Sequence, residues 1–179
     1  MGDWYHAAVD FAVQNGLFKG MTATTFEPNT PMTRGMLVTV LWRYENSPKE
    51  GTNVFTDVKD GDWFADAVAW AAENGIVTGV GNGRFDPNGK ITREQLAAIL
   101  YRYSGNKGYD TSKRGDFKTF PDKDEVSSWA KDAYGWAVGE KLINGNNING
   151  VSCLDPQGNA TRAQVATILM RFIQNIAEK

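Results

Sequence analysis

The sequence has few of the residues that most often build catalytic and metal centres. It contains one cysteine, Cys153, and one histidine, His6, among 179 residues. A single cysteine excludes an internal disulfide and a cysteine-based zinc site, and we expect both residues to be ordinary packed or half-exposed side chains. No nucleophile, base and orienting group recur near one another. We therefore expect a protein that is not an enzyme and that uses no cofactor and no metal.

An excess of charge of one sign and long apolar runs are also missing. The 19 basic and 21 acidic residues are interspersed and give a formal net charge of -2. This balance provides no long-range field for nucleic acid or an anionic lipid surface. The apolar runs are a few residues long, too short for a membrane span or a signal-peptide core. We expect no nucleic-acid partner and no membrane insertion, so any anion must be bound locally.

The sequence does contain one series of motifs that occurs three times. Each copy has a tryptophan at the start of a helical segment, a signal that ends this helix, an acid-proline turn (Asp or Glu directly before Pro) and a Thr-Arg pair. The tryptophans are Trp4, Trp63 and Trp129, and the pairs are Thr33-Arg34, Thr92-Arg93 and Thr161-Arg162. Extra length falls in the linker Lys107 to Thr119 and the loop Asn146 to Ser152, because loops tolerate insertions. We predict repeats at 1–46, 53–105 and 117–179.

The first repeat is predicted to be truncated at its start. Segments beginning with Phe55 and Phe120 precede the first helix of repeats two and three, and nothing equivalent precedes Trp4. Because Met1 leads almost directly into a helical pattern, we expect a piece of a longer exported protein whose signal peptide lies elsewhere.

Two helices are predicted in each repeat. Apolar residues at i, i+3, i+4 and i+7 after each Thr-Arg pair predict an amphipathic second helix. Capping boxes are predicted for Thr92 with Gln95 and for Thr161 with Gln164, whereas Met36 cannot complete one with Thr33. The first helices are predicted to end near Gly16, Gly75 and Lys141. Three apolar stripes in one register favour packing of the second helices around a pseudo-threefold axis.

These motifs resemble the S-layer homology (SLH) repeats of bacterial cell-surface proteins, and the resemblance covers essentially the whole chain. It is carried by Phe55-Thr56-Asp57-Val58, Trp63-Phe64, the run from Gly79 to Pro87, and Ile91-Thr92-Arg93-Glu94-Gln95. It implies an all-α fold in which three helix-loop-helix repeats form a pseudo-threefold, three-prong spindle around a central three-helix bundle. It also implies an extracellular location in the cell wall or S-layer, with a cargo domain fused in the parent protein.

The resemblance further implies anchoring without a covalent bond. Family members hold secondary cell-wall polysaccharide, which is linked to peptidoglycan, in grooves between repeats, often through a pyruvylated N-acetylmannosamine. The alternative is a protein-protein or structural module in surface-layer assembly. The family motif usually continues Thr-Arg with Ala-Glu, and this chain departs from it. The residues here are Gly35-Met36, Glu94-Gln95 and Ala163-Gln164, so the acid at the end is lost in all three repeats.

The arginines of the three pairs are the candidates to bind the ligand's carboxylate. Arg34, Arg93 and Arg162 each follow a helix cap, where free N–H groups add partial positive charge. A guanidinium can also bond a planar carboxylate in two places. In the alternative role, the arginine braces a loop carbonyl or pairs with Asp57 or Asp122, and we include both acids among the candidate residues.

Aromatic and glycine residues complete the candidate site. The repeated Trp4, Trp63 and Trp129 are candidates for the flat surface under a sugar ring, or else they plug the core. For Gly20, Gly79 and Gly145 the alternatives are close approach of the backbone to the ligand and turn chemistry alone. We predict that Trp70 and Trp136 lie in the core.

Two further expectations concern the loops and the balance between sites. A calcium loop starting at Asp86 is unsupported, because Lys90 and Ala97 occupy two of its ligand positions. The truncated first repeat and Met36 predict unequal sites, with the groove that uses Arg34 the weakest.

Overall fold

The computed structural model describes residues 3–20 and 25–178 and is mainly helical. Its α-helices are α1 (His6–Gln14), α2 (Arg34–Tyr44), α3 (Ala65–Glu73), α4 (Arg93–Asn106), α5 (Lys131–Gly139) and α6 (Arg162–Phe172). The 3₁₀ turns Lys123–Glu125 and Ser128–Ala130 precede α5, and a π-helical turn, Ile173–Ala177, continues α6. Within the described ranges, no helix has the length and apolar character needed to cross a membrane.

The expected all-α fold is correct only in part, because the third repeat contains a β-hairpin. Its antiparallel strands are β1 (Asn146–Ile148) and β2 (Val151–Cys153). The two residues between the strands, Asn149 and Gly150, have positive φ values of 52° and 85°. Asn-Gly adopts this backbone readily in two-residue hairpin turns. The insertion predicted as a loop is therefore largely a hairpin.

The first helix of each repeat ends at the predicted stop signal. The terminating residues have left-handed backbones, with φ of 67° at Gly16, 65° at Gly75 and 58° at Lys141. The next N–H then returns to the last turn of the helix, at 2.9 Å for Leu17–Ala12, 2.8 Å for Ile76–Ala71 and 2.9 Å for Leu142–Ala137. Glycine adopts this conformation at no steric cost, whereas Lys141 does so despite its Cβ atom.

The second helices begin at the Thr-Arg pairs, as predicted. Each threonine is the N-cap, and its hydroxyl accepts the N–H of the third helical residue. The two predicted capping boxes are confirmed by the return bonds to glutamine, at 3.2 Å for Thr92–Gln95 and 3.0 Å for Thr161–Gln164. In α2 the Thr33 hydroxyl accepts from the Met36 N–H at 3.2 Å, and the Met36 side chain offers no acceptor for a return bond.

The helix pairs in closest contact join different repeats. Helix α2 packs against α3, α4 against α5, and α6 against α1. The second helix of each repeat therefore packs against the first helix of the next, and the third repeat closes back on the first. The apolar stripes of the second helices are buried, including Leu37, Leu41, Leu96, Leu100, Val165 and Leu169.

A ring of backbone hydrogen bonds joins the starts of the three second helices. The N–H of Met32 donates to Ala160 at 2.9 Å, that of Ala160 to Ile91 at 2.9 Å, and that of Ile91 to Met32 at 2.8 Å. All three residues have an exposed fraction of 0%. Because every bond in the ring joins two repeats, the starts of the three second helices are held together in a closed ring.

The second helices meet again at their C-terminal ends. The ring of Tyr103 in α4 lies edge-on to that of Phe172 in α6, with 5.8 Å between the centroids. The Tyr103 hydroxyl donates to Glu45, which directly follows α2. Lys107 completes this cluster with an ion pair to Glu45 at 3.0 Å. The second helices are thus held together at both ends.

Because every helix pair crosses a repeat boundary, we expect the whole chain to unfold in one cooperative transition. A chain of residues 53–179 lacks the partners of α3 and α6, and we expect it to lose its stable tertiary structure. Circular dichroism and tryptophan fluorescence during urea unfolding measure the stability of the full chain and of the shortened chain. The two probes should give coincident curves for the full chain. Separate transitions, or a stable shortened chain, would contradict the closed packing.

Candidate functional site

The arginine of each Thr-Arg pair is buried and bonded to the loop of another repeat. Arg34, Arg93 and Arg162 are only 4–5% exposed. In each, Nε donates to a backbone carbonyl, at 2.8 Å for Arg34–Phe85, 3.0 Å for Arg93–Leu154 and 2.8 Å for Arg162–Phe26. The accepting residue always lies two positions before the proline of the acid-proline turn. Bracing of a loop carbonyl, the alternative role, is therefore present in all three repeats.

Two of these arginines also use a terminal nitrogen for the loop. Nη2 of Arg93 donates to the Asn144 carbonyl at 2.9 Å, and Nη2 of Arg162 donates to the Lys19 carbonyl at 2.8 Å. The side chain of Arg34 makes only its Nε bond within the described residues. Burial lowers the pKa of Arg34 and of Arg162. Arginine has so high a pKa that both remain charged at neutral pH.

Asp57 and Asp122 fasten the same loops from the other side. Each carboxylate accepts two successive backbone N–H groups, at 2.8 Å from both Phe85 and Asp86 to Asp57, and at 2.8 and 2.7 Å from Leu154 and Asp155 to Asp122. Burial raises the pKa of Asp57, but the two N–H donors and the neighbouring Arg84 outweigh it and leave this pKa below its ordinary value. Neither acid lines the grooves described next.

Three grooves lie between the repeats, and we name each by its buried arginine. Their volumes are about 420 Å³ for the Arg34 groove, 290 Å³ for the Arg93 groove and 130 Å³ for the Arg162 groove. In every groove the buried arginine comes from one repeat. The loop after the first helix and one face of the second helix come from the next repeat. A tryptophan from the remaining repeat completes the lining, so each groove needs all three repeats.

The predicted tryptophans lie in these grooves and are exposed. Trp129 lines the Arg34 groove, Trp4 the Arg93 groove and Trp63 the Arg162 groove. Their exposed fractions are 55%, 68% and 59%, respectively. The alternative reading of these residues as core plugs is therefore wrong. Trp70 and Trp136 are buried in the core, as predicted.

The predicted glycines also line the grooves. Gly79 lines the Arg34 groove, Gly145 the Arg93 groove and Gly20 the Arg162 groove. At Gly79, φ is 78° and an added Cβ would lie 2.6 Å from the Arg84 carbonyl oxygen. At Gly145 a Cβ would lie 2.8 Å from the ring of Phe120. At these two positions the packing of the loop itself already requires glycine.

A second arginine lines each groove, and the sequence analysis missed it. These residues are Arg102 in the Arg34 groove, Arg171 in the Arg93 groove and Arg43 in the Arg162 groove. All three are half-buried on the second helices. Nη1 of Arg43 and of Arg171 lies 3.3 Å from a loop carbonyl, whereas the side chain of Arg102 has no hydrogen bond to any described residue. No aspartate or glutamate lines a groove within residues 3–20 and 25–178.

A signal for the second arginine was present in the sequence. It occupies the same place near the end of each apolar stripe, in Trp42-Arg43-Tyr44, Tyr101-Arg102-Tyr103 and Met170-Arg171-Phe172. A cation that recurs between large apolar residues in every repeat is unexpected for a position needed only for packing. The described residues hold no group of His, Cys, Asp and Glu suited to a metal ion.

The three grooves differ in their lining residues, and Met36 lies in a different groove from the one predicted. Gln95 lines the Arg34 groove and Gln164 the Arg93 groove, whereas Met36 lines the Arg162 groove together with Lys19. Met36 lies only two residues after Arg34, but the two line different grooves, because each groove combines the arginine of one repeat with the helix face of another. The expectation of a weak Arg34 groove lacks this structural basis, and the smallest groove is that of Arg162.

The family model of the S-layer homology domain matches residues 1–35, 54–97 and 119–166, one segment in each predicted repeat. The chain belongs to the S-layer homology family. The matched segments contain the exposed tryptophans and the buried arginines of the grooves.

Relatives of this SLH domain include both enzymes and surface proteins. The chain is 34% identical over 177 residues to an amylopullulanase of Thermoanaerobacterium thermosulfurigenes, covering 96% of the chain and 9% of that protein. It is 32% identical over 169 residues to a surface-layer 125 kDa protein of Lysinibacillus sphaericus, covering 94% and 14%. A cellulosome-anchoring protein of Acetivibrio thermocellus is 27% identical over 161 residues, covering 87% and 35%. The SLH domain thus spans a small part of larger proteins and is associated with the cell surface.

We expect Asp57→Ala to lower the free energy of unfolding at pH 7 by about 3 kcal/mol, since two charge-assisted bonds to the loop are lost. The folded pKa of Asp57 lies below its ordinary value of 3.8. Its contribution is therefore complete above that pH and is lost as the pH falls through the lowered folded pKa. Urea unfolding at pH 7 and pH 3 should show a smaller difference from the unmodified protein at pH 3.

The exposed Asp60 provides the control for this prediction. Asp60→Ala should change the unfolding free energy little at either pH. An equal loss from Asp57→Ala at pH 7 and pH 3 would show that the carboxylate charge does not hold the loop.

Proposed function

We propose that this SLH domain anchors an exported protein to the bacterial cell wall, without a covalent bond, by binding an anionic polysaccharide in its grooves. One observation carries the proposal. Each groove combines two arginines and an exposed tryptophan, and no acid is among its described lining residues. Arginine bonds planar carboxylates well, and aromatic faces accept sugar rings. Binding of this kind requires no catalytic group, so we infer a non-catalytic module.

The proposed ligand is secondary cell-wall polysaccharide linked to peptidoglycan, with a pyruvylated sugar as the recognised unit. A pyruvyl ketal places a carboxylate directly on a sugar ring. One unit therefore offers an anion for the arginines and an apolar ring face for the tryptophan. For the arrangement of the repeats we propose the three-prong spindle around a central three-helix bundle, supported by the bond ring of Met32, Ile91 and Ala160.

The two arginines of a groove are assigned different roles. The Nε of the buried arginine donates to a loop carbonyl, and this bond fixes the wall of the groove. The second arginine is half-buried and more of its donors are free, most clearly at Arg102. We infer that the second arginine contacts the carboxylate directly and that the buried arginine adds charge and any remaining N–H donors. Asp57 and Asp122 act on the ligand only through the loops that they hold.

The grooves are proposed to differ in affinity in the order of their volumes. The Arg34 groove, at about 420 Å³, falls within the range of roughly 300–1,000 Å³ that is usual for ligand pockets. The Arg93 groove lies at the edge of that range, and the Arg162 groove, at about 130 Å³, lies well below it. Occupation of more than one groove by a single polymer would raise retention through avidity.

The cargo is proposed to be a further domain of the parent protein. The relatives include an amylopullulanase, a surface-layer protein and a cellulosome-anchoring protein. An anchoring module holds whatever domain is fused to it, so we expect it to occur in proteins that otherwise differ.

A pull-down with purified cell-wall sacculi tests the proposed partner. Hydrofluoric acid removes the secondary polymer from peptidoglycan, so we expect binding to untreated sacculi and its loss after treatment. Binding that survives the acid would overturn the polysaccharide proposal. If the domain instead binds purified surface-layer protein and not untreated sacculi, the module serves surface-layer assembly.

We expect Arg102→Ala to weaken binding of a pyruvylated N-acetylmannosamine glycoside at least tenfold, because a charge-assisted bond to the carboxylate contributes about 1.5–3 kcal/mol. Arg43→Ala should have a smaller effect, since it lies in the smallest groove. Titration calorimetry measures both. Lys59→Ala removes an exposed cation outside the grooves and should leave the affinity unchanged. Equal losses from Arg43→Ala and Arg102→Ala would contradict the proposed order of the grooves.

A further inference from the structure

Glu94 is a buried carboxylate that lines none of the grooves. Its exposed fraction is 4%, and it lies in the first turn of α4. Both of its oxygens accept from Ser127, Oε2 from the backbone N–H at 3.0 Å and Oε1 from the hydroxyl at 2.8 Å. The partial positive charge at the N-terminal end of α4 favours a negative charge there. Two charge-assisted bonds therefore fix Ser127 of the third repeat to a helix of the second.

Ser127 directly precedes the turn that carries Trp129. It is the N-cap of the 3₁₀ turn Ser128–Ala130, and its carbonyl accepts the N–H of Ala130 at 2.9 Å. Ala130 is fully buried. The backbone is thus fixed on both sides of Trp129, while the indole remains exposed in the Arg34 groove.

The contact between Glu94 and Ser127 connects two sides of one groove. Gln95, Ile99 and Arg102 of α4 line the Arg34 groove, and Trp129 lines it from the third repeat. Because Glu94 belongs to the same helix as the first three residues, its bonds to Ser127 set the position of Trp129 relative to that helix. The side chain of Glu94 can therefore affect the shape of the groove without lining it.

The other two repeats lack this contact. The residues that correspond to Glu94 are Gly35 and Ala163, and those that correspond to Ser127 are Gly61 and Gly2. The residue that follows each tryptophan changes as well, from Phe64 in the second repeat to Ala130 in the third. A Cβ at Gly35 would lie 3.3 Å from the Phe64 ring, so the aromatic ring fills the space there. In the third repeat the smaller Ala130 stands in the place of that ring.

We propose that Glu94 is a positioning residue for the Arg34 groove, which through Ser127 holds Trp129 in the orientation that receives the sugar. The inference rests on the proposed function in one respect, namely that Trp129 contacts a sugar. Trp4 and Trp63 have no such carboxylate contact, and each ring instead lies edge-on to the next aromatic ring, with 5.3 Å between the centroids for Trp4–Tyr5 and 5.0 Å for Trp63–Phe64. Ala130 follows Trp129 and offers no such ring, so the contact of Glu94 with Ser127 is the constraint that we assign to the tryptophan of the Arg34 groove.

The experiment uses the whole chain with 5-fluorotryptophan at its six tryptophans. Fluorine NMR resolves the individual rings, and Trp129→Phe assigns the signal of Trp129. In the ligand-free protein, Glu94→Ala and Ser127→Gly should shift and narrow the Trp129 signal, because the ring becomes more mobile. Glu94→Gln keeps one acceptor and should have an intermediate effect. The signals of the buried Trp70 and Trp136 should not move, which also shows that each variant is folded.

Affinity is measured in a background of Arg43→Ala and Arg171→Ala, where the Arg34 groove alone keeps both arginines. There, Glu94→Ala should weaken binding of a pyruvylated N-acetylmannosamine glycoside about two- to tenfold, the range expected when one side chain must be ordered on binding. The matched control is Asp66→Ala, an exposed acid in the first turn of α3, which should change neither signal nor affinity.

An unchanged Trp129 signal in Glu94→Ala and Ser127→Gly would overturn the positioning role, whatever the affinity does. If the Trp129 signal moves and the affinity does not, the ring is positioned but has no role in binding, and the inference fails at that step. If the glycoside does not bind even the unmodified chain, the proposed function fails, while the ligand-free signal of Trp129 still decides whether Glu94 positions it.

Discussion

The bond from the Nε of a buried arginine to a loop carbonyl of another repeat is the interaction on which the structure depends. It occurs once per repeat, at Arg34, Arg93 and Arg162. The helix cap holds one end of the arginine, and the acid-proline turn presents the carbonyl at the other. A buried guanidinium left without acceptors would be strongly unfavourable, so each arginine requires the neighbouring loop to be in place. The fold of one repeat therefore stabilises the site of another.

This coupling explains why the three repeats form one closed unit. In an open solenoid each repeat contacts only its neighbours, and the terminal repeats need caps. Here α6 of the third repeat packs against α1 of the first, and the bond ring of Met32, Ile91 and Ala160 joins all three. Because closure leaves no terminal repeat, every second helix has a partner. The same closure brings an arginine, a helix face and a tryptophan from three different repeats into each groove.

Local features of this fold could be predicted from the sequence, and the partners of each element could not. The glycine stops and the capping boxes depend on a few adjacent residues, so their motifs were sufficient. Hydrophobic periodicity identifies the buried face of a helix but carries no information about which helix covers it. That is why Arg34 and Met36 were assigned to one groove, although they line two. The hairpin turn at Asn149-Gly150 is a local feature too, and the sequence analysis overlooked it.

The burial of the Thr-Arg arginines also limits what a sequence motif can reveal about binding. A motif can recur for a structural reason as well as for binding. The bond to the loop alone is sufficient reason for an arginine at this position. Arg43, Arg102 and Arg171 make fewer bonds to the protein, so a structural requirement accounts less well for their recurrence. Repetition of a charge whose donors the fold leaves largely unused is the stronger indication of a ligand. By that criterion, Arg102 and the groove that contains it are the strongest candidates for the proposed binding.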